Sequence, residues 1–267
     1  MKPLLTYYGG KQQLATLINS LLPNHKIYCE PFFGGGAIFF HKSPSVVEVI
    51  NDTNGELINF YQVVKKQFSK LEKEIRGTLR SRDLYRKAKV IYRNPDMFDE
   101  IKRAWAVWTL ANQCYASIIG SSWGFDLNNN TSAVRSFNKK EAFTTVYSER
   151  LEKVQMECTD GLALIKIRDS RDTLFYLDPP YFNTDKGHYG SYTESDFERL
   201  LFLLATIKGK FLLSSYPSQI LERYVEKHHW FVKEIDMPLS VTARYNSGKR
   251  KTELLVGNYK LLDSSCL

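Results

Sequence analysis

Apolar residues along the chain follow two rhythms that alternate. Over 11–22, Leu14, Leu17, Ile18, Leu21 and Leu22 recur at helical spacing, and Pro23 and Asn24 then stop the helix. Short runs at 27–30 and 46–51 predict strands. Leu57, Phe60, Tyr61, Val64, Phe68, Leu71 and Ile75 predict one long amphipathic helix over about 56–75. The character then changes: residues 76–150 are rich in Arg, Lys, Trp, Tyr and Asn and read mostly as helix and loop. The first rhythm resumes with strands at 154–158, 174–177 and 210–214, a helix over 195–207 between the last two, and closing strands near 230–236 and 253–258. This alternation predicts an α/β domain, a mainly parallel sheet with helices on both faces, interrupted by a helical insertion. There is no internal repeat and no low-complexity segment.

At 267 residues, the chain suits one α/β domain with an insertion and can bury a large core without disulfides. Its formal net charge of +8 favours a polyanionic partner, in the first place nucleic acid. The four cysteines, Cys29, Cys114, Cys158 and Cys266, are scattered with no Cys-x-x-Cys pair, and His228 and His229 are adjacent, so no metal site is expected. No apolar stretch approaches membrane-spanning length, and Lys2 and Pro3 lead into a polar Gly-Gly-Lys stretch. A cytoplasmic protein with no membrane contact is therefore expected.

The most informative motif is Asp178-Pro179-Pro180-Tyr181, directly after the apolar run Leu174-Phe175-Tyr176-Leu177. The C-terminal end of a buried parallel strand is where open α/β sheets bind ligands. There Asp178 would accept hydrogen bonds from an amino group, the prolines would fix the backbone carbonyls, and Tyr181 would offer a flat face to a planar ring. Upstream, a strand ending Cys29-Glu30 runs into Pro31-Phe32-Phe33-Gly34-Gly35-Gly36, a loop that lets a ligand approach the backbone. The next strand closes on Asn51-Asp52, and an acid about twenty residues past a glycine-loop strand is the usual partner of ribose hydroxyls.

Glu-Pro-Phe-Phe-Gly-Gly-Gly, Asp52 and Asp-Pro-Pro-Tyr, in this order, resemble the Dam-type (D12 class) DNA adenine N6-methyltransferases. The likeness starts at Tyr7-Tyr8-Gly9-Gly10-Lys11 and reaches Arg250-Lys251-Thr252-Glu253-Leu254-Leu255. It implies a Rossmann-like methyltransferase fold with a seven-stranded sheet, S-adenosyl-L-methionine as cofactor, and methylation of N6 of a flipped-out adenine in double-stranded DNA. It implies a catalytic domain over 1–60 and 148–267 and a target-recognition domain over 61–147. Tyr7, Lys11, Phe33, Gly34, Asp52, Asp160 and Asp178 would then hold the cofactor, although Asp160 reads equally well as a helix N-terminal residue. Asp178, the Pro179 carbonyl and Tyr181 would hold the target base. The loop 183–192, with Lys186, His188, Tyr189 and Tyr192, would close over it.

The insertion carries a basic run of Arg76, Arg80, Arg82, Arg86, Lys87, Lys89 and Arg93. Of these, Arg80, Arg82, Arg86 and Lys87, with Arg135 and the C-terminal Arg244, Lys249, Arg250 and Lys251, are the candidate DNA contacts. GATC-specific members carry an Arg-Tyr-Asn segment followed by an Asn-Val-Pro-Phe-Gly segment in the insertion. Residues 112–138 lack both, and Arg244-Tyr245-Asn246 comes too late in the chain, so GATC recognition is not expected. The segment resembles relatives in phages and restriction systems. The protein is expected to act as a monomer, with a cognate restriction endonuclease admitted as a partner. Methylation of cytosine N4 or of RNA, and a catalytically idle DNA-binding regulator, stay open as alternatives; the identity of Asp178 favours adenine.

Overall fold

A computed structural model describes residues 1–7, 9–115, 119–182, 192–238 and 250–262. Seven strands, β1 (Ile27–Glu30), β2 (Val47–Asn51), β3 (Gln155–Glu157), β4 (Thr173–Leu177), β5 (Lys210–Ser215), β6 (Phe231–Pro238) and β7 (Arg250–Gly257), form one sheet in the order β3-β2-β1-β4-β5-β7-β6. The helices are α1 (Ala15–Ser20), α2 (Ala37–His41), α3 (Gly55–Lys66), α4 (Phe68–Gly77), α5 (Arg82–Arg93), α6 (Glu100–Gln113), α7 (Thr131–Glu141), α8 (Val146–Leu151), α9 (Gly161–Arg168), α10 (Glu194–Leu204) and α11 (Gln219–His228). The order of β1, β2, β4 and β5 follows from parallel pairing, which needs crossover connections, whereas β7 pairs antiparallel with both β5 and β6. The fold is a mixed α/β arrangement on a seven-stranded sheet, as the sequence predicts.

The chain divides into two compact units. One comprises 16–33, 44–51 and 159–267 and contains every strand but β3. Its central strand β4 reads Thr-Leu-Phe-Tyr-Leu and is buried at all five positions, as a parallel strand covered on both faces must be. Phe175 lies between Cys29 of β1 and Phe211 of β5, and Phe197, Leu200, Leu201 and Leu204 of α10 join the same core. The Thr193 hydroxyl and the Asp196 carboxylate form a reciprocal cap that sets where α10 starts.

The other unit comprises 1–15, 34–43 and 52–158 and holds α2 to α8. The insertion expected over 61–147 falls within it. Trp108, at the middle of α6, is fully buried, and Phe68 stacks on Phe143 with ring centres 4.9 Å apart. The single helix expected over 56–75 is two helices. Gln67 leaves helical geometry (φ −136°, ψ 37°), caps α3 through its N–H to Val63, and lets α4 start in a new direction. The apolar spacing runs through the break, because Phe68, Leu71 and Ile75 still face inward. Similarly, the helix expected over 11–22 is regular only at Ala15–Ser20, with Lys11 to Leu14 forming turns.

Candidate active site

The glycine loop and Asp52 form a tight group within the second-described unit. Gly34 sits at φ +51°, a region costly for any residue with a Cβ. Its N–H donates to Asp52 Oδ2 at 2.9 Å, and the N–H of Asn54 donates to Asp52 Oδ1 at 2.9 Å. Asp52 thus ties the loop to the start of α3, where the Asn54 side chain caps the helix. Burial raises the Asp52 pKa, against the two backbone donors, which lower it. Tyr61 donates its hydroxyl to the Gly34 carbonyl at 3.2 Å. The Tyr7 ring lies so close that a Cβ on Gly34 would meet it at 3.1 Å, and one on Gly35 would meet its Cβ at 3.0 Å. Lys11 is buried, with Nζ donating to the Gly9 carbonyl at 3.1 Å. Tyr7, Gly34 and Asp52 are thereby brought together.

Within the other unit, Asn51 is fully buried at the end of β2. Its amide donates to the carbonyls of Pro31 and Thr159 and accepts from the Thr159 N–H, so one side chain holds the segments that follow β1 and precede α9. Phe33, buried, donates its N–H to the Asn51 carbonyl. Asp160 is the N-cap of α9, with Oδ1 accepting from the Ala163 N–H at 2.9 Å, which realises the helix-terminal reading of this residue.

Asp178 follows β4 directly, and the register explains its surroundings. Leu177 pairs with Leu213 of β5, and Ser215 pairs with Leu254 of the antiparallel β7, so Glu253 arrives at the sheet end where β4 and β5 stop. The Tyr181 hydroxyl lies 3.1 Å from Asp178 Oδ1 and makes a short hydrogen bond to Glu253 Oε1. Burial first, then the Asp178 and Glu253 carboxylates, push the Tyr181 pKa well up, so it is a neutral donor. Its ring meets Tyr216 edge-on, with centres 4.4 Å apart. Lys251 Nζ lies 3.8 Å from Glu253 Oε2 and donates to the Tyr216 hydroxyl at 3.3 Å. Beneath them, Tyr176 shares a hydrogen bond with Ser214, both buried. Pro179 is buried beside this group.

The basic run is uneven. The Arg80 guanidinium is hydrogen-bonded to the Gly124 carbonyl and lies 5.3 Å from the Trp123 ring centre; that of Arg82 is 5.2 Å from Trp123 and 5.6 Å from Phe125. Lys89 and Tyr85 donate to the Ser121 carbonyl, and buried Gln113 accepts from Trp123 Nε1. These bonds pin 121–125 onto α5, the residue pair before it and the end of α6. Arg86 and Arg135 are exposed, and Lys87 pairs with Asp83 across one exposed turn. Arg250 pairs with Asp236 on the β6–β7 hairpin. Arg244, Lys249, and 183–191 of the expected closing loop lie outside the described residues, whereas Tyr192 is half-buried.

A model of the D12 class N6 adenine-specific DNA methyltransferases matches residues 7–235. The chain belongs to this family. Among its relatives, a Type II methyltransferase, M1.LlaDCHI, of Lactococcus lactis subsp. cremoris is 28% identical over 97% of this chain and 96% of its own length. Another, M.MjaIII, of Methanocaldococcus jannaschii is 30% identical over 74% of this chain and 75% of its own. A third, M.CviBI, of Paramecium bursaria Chlorella virus NC1A is 24% identical over 97% of this chain and all of its own. This enzyme is accordingly an adenine-specific DNA methyltransferase, with DNA as substrate and a methyl donor as cosubstrate.

Several residues of this candidate site are not singled out by the sequence. Glu253 was part of the recognised C-terminal segment but had no role assigned; the one hint was a lone carboxylate entering the apolar run Leu254-Leu255-Val256. Asn51 reads in the sequence only as the end of a strand, and nothing in the spacing singles out Asn54. Among the described residues, no group of three or more His, Cys, Asp or Glu side chains is arranged to hold a metal ion, and no helix is long and apolar enough to cross a membrane.

Proposed function

We propose that the enzyme binds S-adenosyl-L-methionine on Tyr7, Lys11, Phe33, Gly34 and Asp52, and that Asp178 and the Pro179 carbonyl orient the amine of an adenine flipped out of duplex DNA. The site fits such a cofactor in three respects. The glycine loop presents backbone where any Cβ would collide. The Asp52 oxygens each accept one N–H and keep further lone pairs for ribose hydroxyls. The loop, Asp52 and Asp178 leave the C-terminal ends of three adjacent parallel strands. Asp160, exposed at the start of α9, is assigned to the cofactor's adenine, its second oxygen remaining beside the capping one.

When bound, the cofactor supplies an electrophilic methyl group on a sulfonium. The protein's task is to make adenine N6 nucleophilic, since its lone pair is delocalised into the ring. Asp178 accepts one N–H and the Pro179 carbonyl the other, which favours pyramidal nitrogen and aims its lone pair at the methyl. The proton leaves after the methylated cation has formed. Tyr181 and Tyr216 supply aromatic surface beside the base. Arg82, Arg86, Lys87 and Arg135, with Arg80 and the aromatic pair Trp123 and Phe125, serve as the DNA surface of a recognition domain over 61–147, and Arg250 of the catalytic domain is assigned to DNA as well. The type II designation of the relatives supports a cognate endonuclease.

The observation that carries this reading is Asp178 at the end of a fully buried parallel strand, with the Tyr181 oxygen 3.1 Å from its Oδ1. Transfer of a tritiated methyl from S-adenosylmethionine to duplex DNA, single-stranded DNA and RNA tests it. Label is expected in DNA, with the duplex preferred; label in RNA alone, or in none, would overturn it.

A further inference from the structure

Two carboxylates share a single hydroxyl at the end of β4. The Tyr181 oxygen lies within hydrogen-bond reach of both Asp178 Oδ1 and Glu253 Oε1, yet a hydroxyl has one proton to give. The shorter bond runs to Glu253, which is 1% exposed and has Lys251 as its nearby countercharge. The Tyr181 proton therefore points at Glu253, and a lone pair of the same oxygen points at Asp178. That arrangement receives a proton from Asp178 and delivers one to Glu253.

We infer that Asp178, Tyr181 and Glu253 form a proton exit for the methyl transfer, with Glu253 as the terminal acceptor. The inference rests on the reading of Asp178 as the residue that orients N6. An adenine amine that has gained a methyl group carries a positive charge and is a strong acid, so its proton must leave once the N–C bond has formed. Asp178 takes that proton, breaking one N–H bond, and its new O–H donates to the Tyr181 oxygen. Tyr181 passes its own proton to Glu253 and takes the one from Asp178. Asp178 ends ionised, Tyr181 ends neutral as it began, and Glu253 ends neutral. No electrons are exchanged with any outside group. The raised pKa of Tyr181 agrees with a hydroxyl that carries protons without resting as a phenolate.

Glu253 is thus a positioning residue that acts through Tyr181, and two substitutions isolate it. Glu253→Gln keeps size and one acceptor oxygen but takes no proton; Tyr181→Phe keeps the ring and removes the link. Single-turnover methyl transfer to duplex DNA is measured for both, for the double variant and for Asp178→Ala, with dissociation constants for S-adenosylmethionine and DNA and thermal melts alongside. Each single variant is expected to slow transfer roughly ten- to a hundredfold with unchanged affinities, a modest share of what a positioned acid or base contributes. The double variant should be no slower than the slower single, because the two act as one unit. Should Glu253→Gln melt early, Tyr181→Phe carries the test. Wild-type rates in the variants while Asp178→Ala is dead would overturn the relay and leave the reading of Asp178 standing. An active Asp178→Ala would remove that reading and the relay with it.

Discussion

Removing the Asp52 carboxylate should loosen the glycine loop and the cofactor site together. Asp52→Ala deletes the acceptor of two backbone N–H groups, those of Gly34 and Asn54, each at 2.9 Å. An orphaned donor costs about 1–3 kcal/mol where it is buried and less where water reaches it. The group is part-buried, and the raised pKa of Asp52 means that its burial already offsets part of what the two bonds return. A net loss of about 1–3 kcal/mol in folding stability follows, rather than the sum of two full penalties. Loss of the ribose acceptor should weaken S-adenosylmethionine binding by a comparable about 1–3 kcal/mol, or roughly 5- to 150-fold in Kd. Urea unfolding without cofactor reads the first effect and calorimetry the second. Unchanged stability would refute the clamp between the loop and α3. An unchanged Kd would take Asp52 out of the cofactor site even if the clamp stands.

Two other predictions concern charge. Burial, helped by the nearby Lys2 charge, pulls the Lys139 pKa from 10.5 down to about 8. Between these values the unfolded chain holds a proton that the folded protein has released, so stability rises with pH through this window, by up to about 1.4 kcal/mol per unit. Urea unfolding of wild type and Lys139→Met at pH 7.5, 9 and 10 should show wild type gaining on the variant; parallel curves would refute this. DNA affinity should fall steeply with salt, and replacing Arg82, Arg86, Lys87 and Arg135 by Gln should flatten the log–log slope by about 0.9 for each phosphate left without its cation. Arg80 is left in place because it holds the Gly124 carbonyl. An unchanged slope would move the DNA surface elsewhere.

β1, β2 and β4 were legible because each is a short, largely apolar run that leads into a motif: Glu30 before Pro31, Asn51 before Asp52 and Leu177 before Asp178. The break at Gln67 was not, since apolar spacing continues through it and the residue itself is a fair helix former. Tyr7, Gly34 and Asp52 were named from the motifs; the Gly34 N–H joins the loop to Asp52, and the Tyr7 ring lies close against Gly34. Tyr181 was read as a flat face because its ring is what a motif advertises. The hydrogen bond from its hydroxyl to Glu253 depends on β7 turning antiparallel beside β5, and 72 positions separate the two residues. The same holds for Gln113, whose buried amide organises Trp123 through a pairing that no spacing rule encodes.

Nucleoside analysis of duplex DNA methylated by wild type and by Asp178→Ala tests the central claim most directly. Wild type should convert adenine to N6-methyladenine, and Asp178→Ala should give none while keeping its fold and most of its affinity for DNA. N4-methylcytosine in the wild-type digest, or activity of Asp178→Ala within tenfold of wild type, would contradict it.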